Sequence, residues 1–162
     1  MLSQETDYPL HLGVTEAGSV FSGTIKSSVA LGALLCEGIG DTVRVSLTGN
    51  PETEIEAGIE ILSALGLREK NIELISCPTC GRLEVDLIKI TQQLEPLLKN
   101  IKKRLTVAVM GCVVNGPGEA KEADIAVACG KNEALLFIKG VQIKKIKEDE
   151  IIPMLLEEIE KL

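Results

Sequence analysis

Three cysteines and one glutamate, in two turns rich in glycine and proline, are the residues best suited to chemistry in this sequence. Cys77 and Cys80 are separated by two residues, and Cys112 follows after 31 intervening residues. Glu119 lies seven positions further on. Thiolates are the protein ligands that iron–sulfur clusters and zinc prefer. Three thiolates and one weaker, exchangeable oxygen ligand would leave one metal open to a substrate, so the pattern predicts a reactive metal site.

The spacing of Cys77 and Cys80 is compatible with more than one kind of site. It occurs in thioredoxin-like dithiols, in half of a zinc site and in half of a cluster site. A dithiol does not explain Cys112, and a structural zinc site needs four ligands. His11 is the single histidine and is distant in sequence, so zinc would require Cys129 or Glu119. The residues alone leave open a cluster, a zinc site and cysteines without metal, and Glu119 could equally be a solvated loop acid.

Composition limits the class of protein. The 162 residues are 45% hydrophobic and 2% aromatic, which predicts an aliphatic core in one domain or two small ones. A net charge of −7 and the scarcity of aromatic residues disfavour a nucleic acid as partner. No apolar run approaches the roughly 20 residues that cross a bilayer, and the acidic start is unlike a signal peptide. Five cysteines without a secretory signal indicate a reducing compartment, the cytoplasm. Cys36 and Cys129 lie in apolar runs and are expected to be small buried hydrophobes, away from the metal site.

The first 76 residues predict alternating strands and helices. The predicted strands are 10–15, 42–48 and 71–76, and the predicted helices are 19–37 and 50–66. Asn50 and Pro51 suit the N-cap and the first position of the second helix. Short loops between alternating elements indicate a parallel sheet, whose functional groups gather at the carboxyl ends of its strands. Three strands cannot close an eight-stranded barrel, so the sheet is either small and open or the end of a larger barrel.

Polar residues follow these strands at their carboxyl ends. Arg44 and Ser46 share one face of their strand because side chains alternate with a period of two. A guanidinium beside a hydroxyl suits a phosphate, although Arg44 could also be a routine salt-bridge partner. Glu16 follows the first strand, where it could be either a surface acid or a functional one.

Residues 77–162 predict a compact α+β domain. An amphipathic helix runs from Leu87 towards Ile101, bent at Pro96. Strands are predicted at 105–110, 124–128, 134–138 and 141–147. Lys139 and Gly140 form the expected hairpin turn between the last two strands. A closing helix is expected to begin around Glu150, since Pro153 is tolerated only near a helix start.

Four stretches together carry a resemblance to a known family. They are Cys-Pro-Thr-Cys-Gly-Arg from Cys77, Met-Gly-Cys-Val-Val-Asn-Gly-Pro-Gly-Glu from Met110, Tyr-Pro-Leu-His-Leu-Gly-Val-Thr-Glu-Ala-Gly from Tyr8 and Gly-Ile-Gly-Asp-Thr-Val-Arg-Val-Ser-Leu from Gly38. The combination resembles the 4-hydroxy-3-methylbut-2-enyl diphosphate synthases of the methylerythritol phosphate pathway, and the resemblance covers nearly the whole chain.

The resemblance implies a fold and a reaction. Enzymes of this family join a TIM barrel to a C-terminal [4Fe-4S] domain. They open 2-C-methyl-D-erythritol 2,4-cyclodiphosphate reductively to 4-hydroxy-3-methylbut-2-enyl diphosphate in isoprenoid biosynthesis. For this chain the resemblance implies the last βαβαβ strands of the barrel in residues 1–76 and the cluster domain in residues 77–162. An electron donor, ferredoxin or flavodoxin, and a homodimer are implied as partners.

The resemblance also implies roles for individual residues. Cys77, Cys80 and Cys112 would hold three irons. Glu119 would hold the fourth iron until substrate displaces it, and Asn115 would touch substrate. In the barrel strands, Glu16 would supply a proton, and Arg44 and Ser46 would hold the diphosphate.

The barrel of the family begins well before the stretch at Tyr8, so further phosphate-binding residues are not part of this sequence. We therefore expect the chain to be a fragment with little activity alone. The alternative is a non-catalytic metal-binding module stabilised by zinc.

Overall fold

The computed structural model describes residues 2–114 and 116–162, with Pro117 and Glu119 described in their backbone only. The chain divides into two compact units between Glu69 and Lys70. The first contains β1 (His11–Gly13), α1 (Val20–Leu35), β2 (Thr42–Arg44) and α2 (Pro51–Ala64). The second contains β3 (Ile72–Ser76), α3 (Leu87–Leu98), β4 (Leu105–Met110), α4 (Gly116–Glu119), β5 (Ile125–Gly130), β6 (Glu133–Ile138), β7 (Val141–Lys147) and α5 (Ile151–Lys161). Short 3-10 helices lie at Leu2–Gln4 and Glu148–Glu150.

The first unit is a parallel βαβ layer followed by a second helix. Strands β1 and β2 pair in parallel from His11 opposite Thr42 to Gly13 opposite Arg44, which confirms the predicted parallel arrangement. Both strands are shorter than predicted, and beyond them a single bridge joins Ser19 to Thr48. The core of this unit consists of a few aliphatic side chains from α1, α2 and the segment after β2: Leu31, Val45, Leu47, Ala57 and Ile61.

Helix α1 packs through a face that carries Gly23, Ser27 and Leu31. Gly23 lies so close to Leu47 that an added Cβ would be 2.7 Å from its Cδ2 atom. Ile25 and Val29, which form an apolar stripe on another face of the helix, are exposed. Glycine permits this close approach because it has no side chain. The apolar stripe of α1 is therefore left on the surface of this unit.

The second unit is built on a mixed sheet in the order β3-β4-β5-β6-β7. The first three strands are parallel, and β6 and β7 are antiparallel additions. Side chains alternate across the sheet. Val107 and Val109 pack on one face with α3 and α5, whose Leu94 and Leu155 are fully buried. This face holds the larger core of the protein.

The opposite face of the sheet is lined mainly by alanines. Ala108, Ala126 and Ala128 are buried there beside Met110 and Phe137. Gly116 lies directly over this face, because a Cβ on it would be 2.5 Å from the Cβ of Ala128. The small residues Gly116 and Ala120 therefore lie close against the alanines of the strands.

The expected domain boundary after residue 76 differs from the division in the structure. Residues 71–76 were predicted to form the third barrel strand. Strand β3 instead pairs in parallel with β4 over its whole length and belongs to the second unit. The described sheet of the first unit contains β1 and β2. A short strand of mixed apolar and polar residues fits either sheet equally well, so the pattern alone could not assign its neighbouring strand.

Several local predictions are confirmed. Helix α2 begins at Pro51 with Asn50 as N-cap. Lys139 and Gly140 have positive φ values of 47° and 77°, as a type I′ hairpin requires. Helix α5 begins at Ile151, directly after the 3-10 turn that ends at Glu150. Helix α3 ends at Leu98, earlier than the apolar pattern predicted. None of the helices in the described ranges is both long and apolar enough to cross a membrane.

Candidate metal centre

Cys77 and Cys112 follow neighbouring parallel strands at the same edge of the second sheet. Cys77 comes directly after β3, and Cys112 comes two residues after β4. The backbone N–H of Gly111 donates a hydrogen bond of 3.2 Å to the Sγ atom of Cys77. The parallel register therefore brings the Cys77 sulfur to the residue that precedes Cys112, as expected for carboxyl ends of adjacent strands.

Cys80 lies further out, on the turn that follows Cys77. Its side chain is exposed, whereas Cys77 is half-buried and Cys112 is buried. Its carbonyl accepts a hydrogen bond from the N–H of Leu83, which closes the turn. Within residues 2–114 and 116–162, and without the Glu119 side chain, no three histidine, cysteine or acidic residues are close enough to hold a metal ion. A joint site for Cys77, Cys80 and Cys112 stays a prediction.

The side chains of two predicted site residues, Asn115 and Glu119, are not among the parts of the chain that the structure describes. Asn115 lies between the two described ranges, and Glu119 is described in its backbone only. Both lie within three residues of Gly116 in the sequence, and Gly116 itself lies close to Ala128. Their predicted roles, substrate contact for Asn115 and metal ligand for Glu119, stay predictions.

Cys129 is the second cysteine that the sequence predicts to lie away from the metal site. It is fully buried, as predicted, near the end of β5, the strand next to β4. Burial first, and then charge interactions with Glu148, Cys77 and Cys112, raise the pKa of the Cys129 thiol to about 12. Cys129 is a member of the core cluster against which Cys77 packs, so these two thiols share one part of the second unit. Its place near the end of the third parallel strand is the signal that could have indicated this.

Cys36 differs from its prediction. It was expected to be buried, but it is exposed. It is the C-cap of α1, and the exposed residue Glu37 follows it. The last residue of an apolar run can be exposed when the run ends at a helix terminus, because the chain turns away from the core there.

The predicted phosphate-binding and acidic residues lie in the first unit, at the carboxyl edge of its two strands. Arg44 ends β2 and is exposed, and its Nε atom is 3.2 Å from where a Cβ on Gly13 would be. Ser46 is half-buried between Val45 and Leu47. The segment is held by a hydrogen bond of 2.8 Å from the N–H of Leu47 to the carboxylate of Glu54.

Glu16 is exposed in the loop that follows β1. Parallel pairing of β1 with β2 places this loop at the same edge as Arg44. The structure thus brings Glu16, Arg44 and Ser46 to one edge of one sheet. Their predicted roles towards a substrate stay predictions.

The fold defines an α/β protein in which a parallel βαβ layer precedes a mixed sheet with thiols at its carboxyl edge. Two family models match the sequence of this chain. A model described as the GcpE TIM-barrel domain matches residues 1–59, and one described as the GcpE protein C-terminal domain matches residues 73–161. The chain belongs to the GcpE protein family. The second match includes nearly all of β3, in agreement with the pairing of that strand.

Curated relatives are similar over the whole chain. A protein of Geobacter sulfurreducens named 4-hydroxy-3-methylbut-2-en-1-yl diphosphate synthase (flavodoxin) is 57% identical over 162 residues, which are 100% of this chain and 46% of that protein. A relative of the same name from Clostridium perfringens is 60% identical over 158 residues, 98% of this chain and 45% of that protein. The chain spans about half the length of the curated relatives it matches.

Proposed function

We propose that this chain forms the metal-binding part and the final barrel strands of a 4-hydroxy-3-methylbut-2-enyl diphosphate synthase. The reaction would open 2-C-methyl-D-erythritol 2,4-cyclodiphosphate with two electrons and remove one oxygen as water. The observation that carries the proposal is the hydrogen bond from the N–H of Gly111 to the Cys77 sulfur, which joins the two cysteine segments. The names of the relatives support the same reaction.

The donor chemistry of the second unit fits a [4Fe-4S] cluster. Cys77, Cys80 and Cys112 would bind three irons, and Glu119 would bind the fourth. Thiolate is the usual ligand of cluster iron, and an N–H donor on the sulfur, such as that of Gly111, is typical of such sites. When bound, the cluster supplies single electrons at low potential and a Lewis-acidic iron. Carboxylate is a harder and weaker ligand than thiolate, which suits Glu119 to exchange with a substrate oxygen.

The residues of the first unit would bind and orient the substrate. Arg44 presents a permanent cation at the carboxyl edge of β2, and its planar guanidinium matches phosphate oxygens. The Ser46 hydroxyl, on the same face of the chain, would donate a hydrogen bond to the diphosphate. Glu16 would hold the proton that leaves with the departing oxygen. Asn115 would contact the substrate beside the cluster. Fixing the diphosphate in this way positions the reacting carbon.

Partners follow from the same proposal. The relatives carry flavodoxin in their names, which favours flavodoxin over ferredoxin as electron donor. A homodimer is proposed for the full-length protein, and the cytoplasm is proposed as its location. Since further phosphate-binding residues of the family lie outside the matched stretch, we expect little turnover from this chain alone.

Anaerobic purification with analysis of iron, acid-labile sulfide and zinc tests the proposal. We expect brown protein that contains iron and sulfide in equal amounts. Colourless protein with one zinc per chain would contradict the proposal and would support a zinc-stabilised module instead.

The role of Glu119 is tested separately in a full-length relative, so that turnover can be measured. Glu119→Cys should retain the cluster and abolish turnover, because a fourth thiolate would not give way to substrate. Glu119→Ala should give a more labile cluster. Full turnover by the Glu119→Cys variant would show that this carboxylate is not the exchangeable ligand.

A further inference from the structure

We propose that Gly111 is the positioning residue of the metal centre, and that its backbone N–H remains hydrogen-bonded to the Cys77 sulfur when metal is bound. The inference rests on the proposed function in one respect, the assignment of Cys77 as a ligand. Gly111 itself binds no metal. It would act through the Cys77 sulfur and through the loop that carries Cys80.

Both polar backbone groups of Gly111 are used to join the two cysteine segments. Its N–H donates to the Sγ atom of Cys77 at 3.2 Å. Its carbonyl accepts a hydrogen bond of 3.0 Å from the N–H of Glu84. Gly111 therefore contacts the 77–84 loop at its start and at its end. This double attachment fixes the distance between that loop and the neighbouring residue Cys112.

The absence of a side chain at this position leaves room for Leu83. A Cβ on Gly111 would overlap the Cδ2 atom of Leu83 and would be 3.5 Å from Cδ2 of Leu87. Gly111 is not among the glycines with positive φ, so its backbone would tolerate an L-residue. Leu83 packs against the main core cluster, of which Leu87 is a member. Glycine at position 111 thus lets Leu83 seat the 77–84 loop against the core.

The hydrogen bond has a consequence for the metal as well as for the loop. An N–H group that donates to a thiolate withdraws negative charge from the sulfur, and charge-assisted hydrogen bonds are about twice as strong as neutral ones. Hydrogen bonds to the ligand sulfurs are among the factors that set the potential of a cluster. Gly111 would therefore stabilise the Cys77 thiolate and raise the reduction potential of a cluster bound there.

Nuclear magnetic resonance of the unaltered 162-residue chain, loaded with an NMR-active isotope of Cd²⁺, tests the inference directly. We expect scalar coupling from the cadmium nucleus to the Cβ protons of Cys77 and also to the amide proton of Gly111. Coupling to Cys77 without coupling to Gly111 would overturn the inference and leave Cys77 a ligand. Absence of both couplings would remove Cys77 from the ligand set, and the inference with it.

Variants supply a second, independent readout through Cd²⁺ affinity. Gly111→Ala keeps the N–H group but should displace it from the Cys77 sulfur, because the added methyl group meets Leu83. The affinity should therefore fall by about 10–100-fold, the cost of losing a partner of a metal ligand. Leu83→Ala/Gly111→Ala frees the space for the methyl group and should regain most of that affinity. Gly81→Ala is the matched control, because an added Cβ there meets nothing within 4 Å. Equal affinities for Gly111→Ala and Gly81→Ala would contradict the inference, as would a folded double variant that binds no better than Gly111→Ala.

Discussion

The two units of the chain bury their apolar residues to different extents. In the second unit β5 is buried along its whole length, and Leu155 and Ile159 of α5 are fully buried. In the first unit Phe21 and Val29 of α1 are 78% and 69% exposed, and Ile55 of α2 is 64% exposed. Burial of apolar surface is the main favourable term in folding. The second unit therefore has a large buried core beside its cysteines. The first unit has a small core, and apolar faces of its helices are exposed to solvent.

The largest contrast that we expect is in thiol reactivity. Burial raises the pKa of Cys129 from 9.0 to about 12, which lowers its thiolate fraction near neutral pH by about a thousandfold. Cys36 in the first unit is exposed. Iodoacetamide at pH 8, followed by mass spectrometry, should label Cys36 and leave Cys129 unmodified in the folded chain. Both should react alike in denaturant, and equal labelling of the two in the folded chain would contradict the burial of Cys129.

The same raised pKa predicts how stability depends on pH. Folding favours the neutral thiol of Cys129, so its contribution is complete below about pH 9 and is lost as the pH rises towards about 12. Urea midpoints should therefore fall over this interval. The decrease in urea midpoint should be smaller in the Cys129→Ala variant. If that variant and the unaltered chain show the same dependence of the midpoint on pH, the Cys129 thiol is not a cause of the decrease.

A second contrast concerns side-chain truncation in the two units. Leu155→Ala should lower the free energy of unfolding by about 2–5 kcal/mol, since Leu155 is fully buried. Ile55→Ala, at an exposed position in the first unit, should change it by less than about 0.5 kcal/mol. Urea unfolding followed by circular dichroism measures both. Similar losses in the two variants would show that the first unit is as tightly packed as the second.

Predictions from the sequence succeeded where a structural feature depends on a few adjacent residues, and they failed where it depends on distant ones. Turn and cap signals depend on a few adjacent residues, so the start of α2 at Pro51 and the turn at Lys139 and Gly140 were predicted correctly. The partner of β3 depends on distant residues, and its apolar pattern fits two sheets. The place of Cys129 in the core cluster against which Cys77 packs likewise follows from strand order, which no local pattern contains.

A third contrast lies within the segment after Cys112. Gly116→Ala should destabilise the second unit by about 1–3 kcal/mol, because the added methyl would be 2.5 Å from the Cβ of Ala128. Gly118→Ala is the control, since an added Cβ at Gly118 meets nothing within 4 Å. Thermal unfolding of the two variants measures the difference. If both variants melt at the same temperature, the segment does not lie against the alanine face as described.

The smallest effect on stability is expected from the exposed helix face of the first unit. A contiguous apolar patch on a surface favours association. Replacing Phe21 and Val29 together by lysine should reduce self-association in sedimentation velocity experiments and leave the unfolding of the second unit unchanged. A wild-type chain that sediments as a monomer at high concentration would contradict this view of the first unit.

The central claim is that Cys77, Cys80 and Cys112 hold the metal and that Cys36 and Cys129 do not. The most direct test is the iron content of five single cysteine-to-alanine variants, reconstituted anaerobically in the 162-residue chain. Iron should be lost in Cys77→Ala, Cys80→Ala and Cys112→Ala and retained in Cys36→Ala and Cys129→Ala. Retention of iron in Cys80→Ala together with its loss in Cys129→Ala would contradict the claim, because the buried thiol would then be the third ligand.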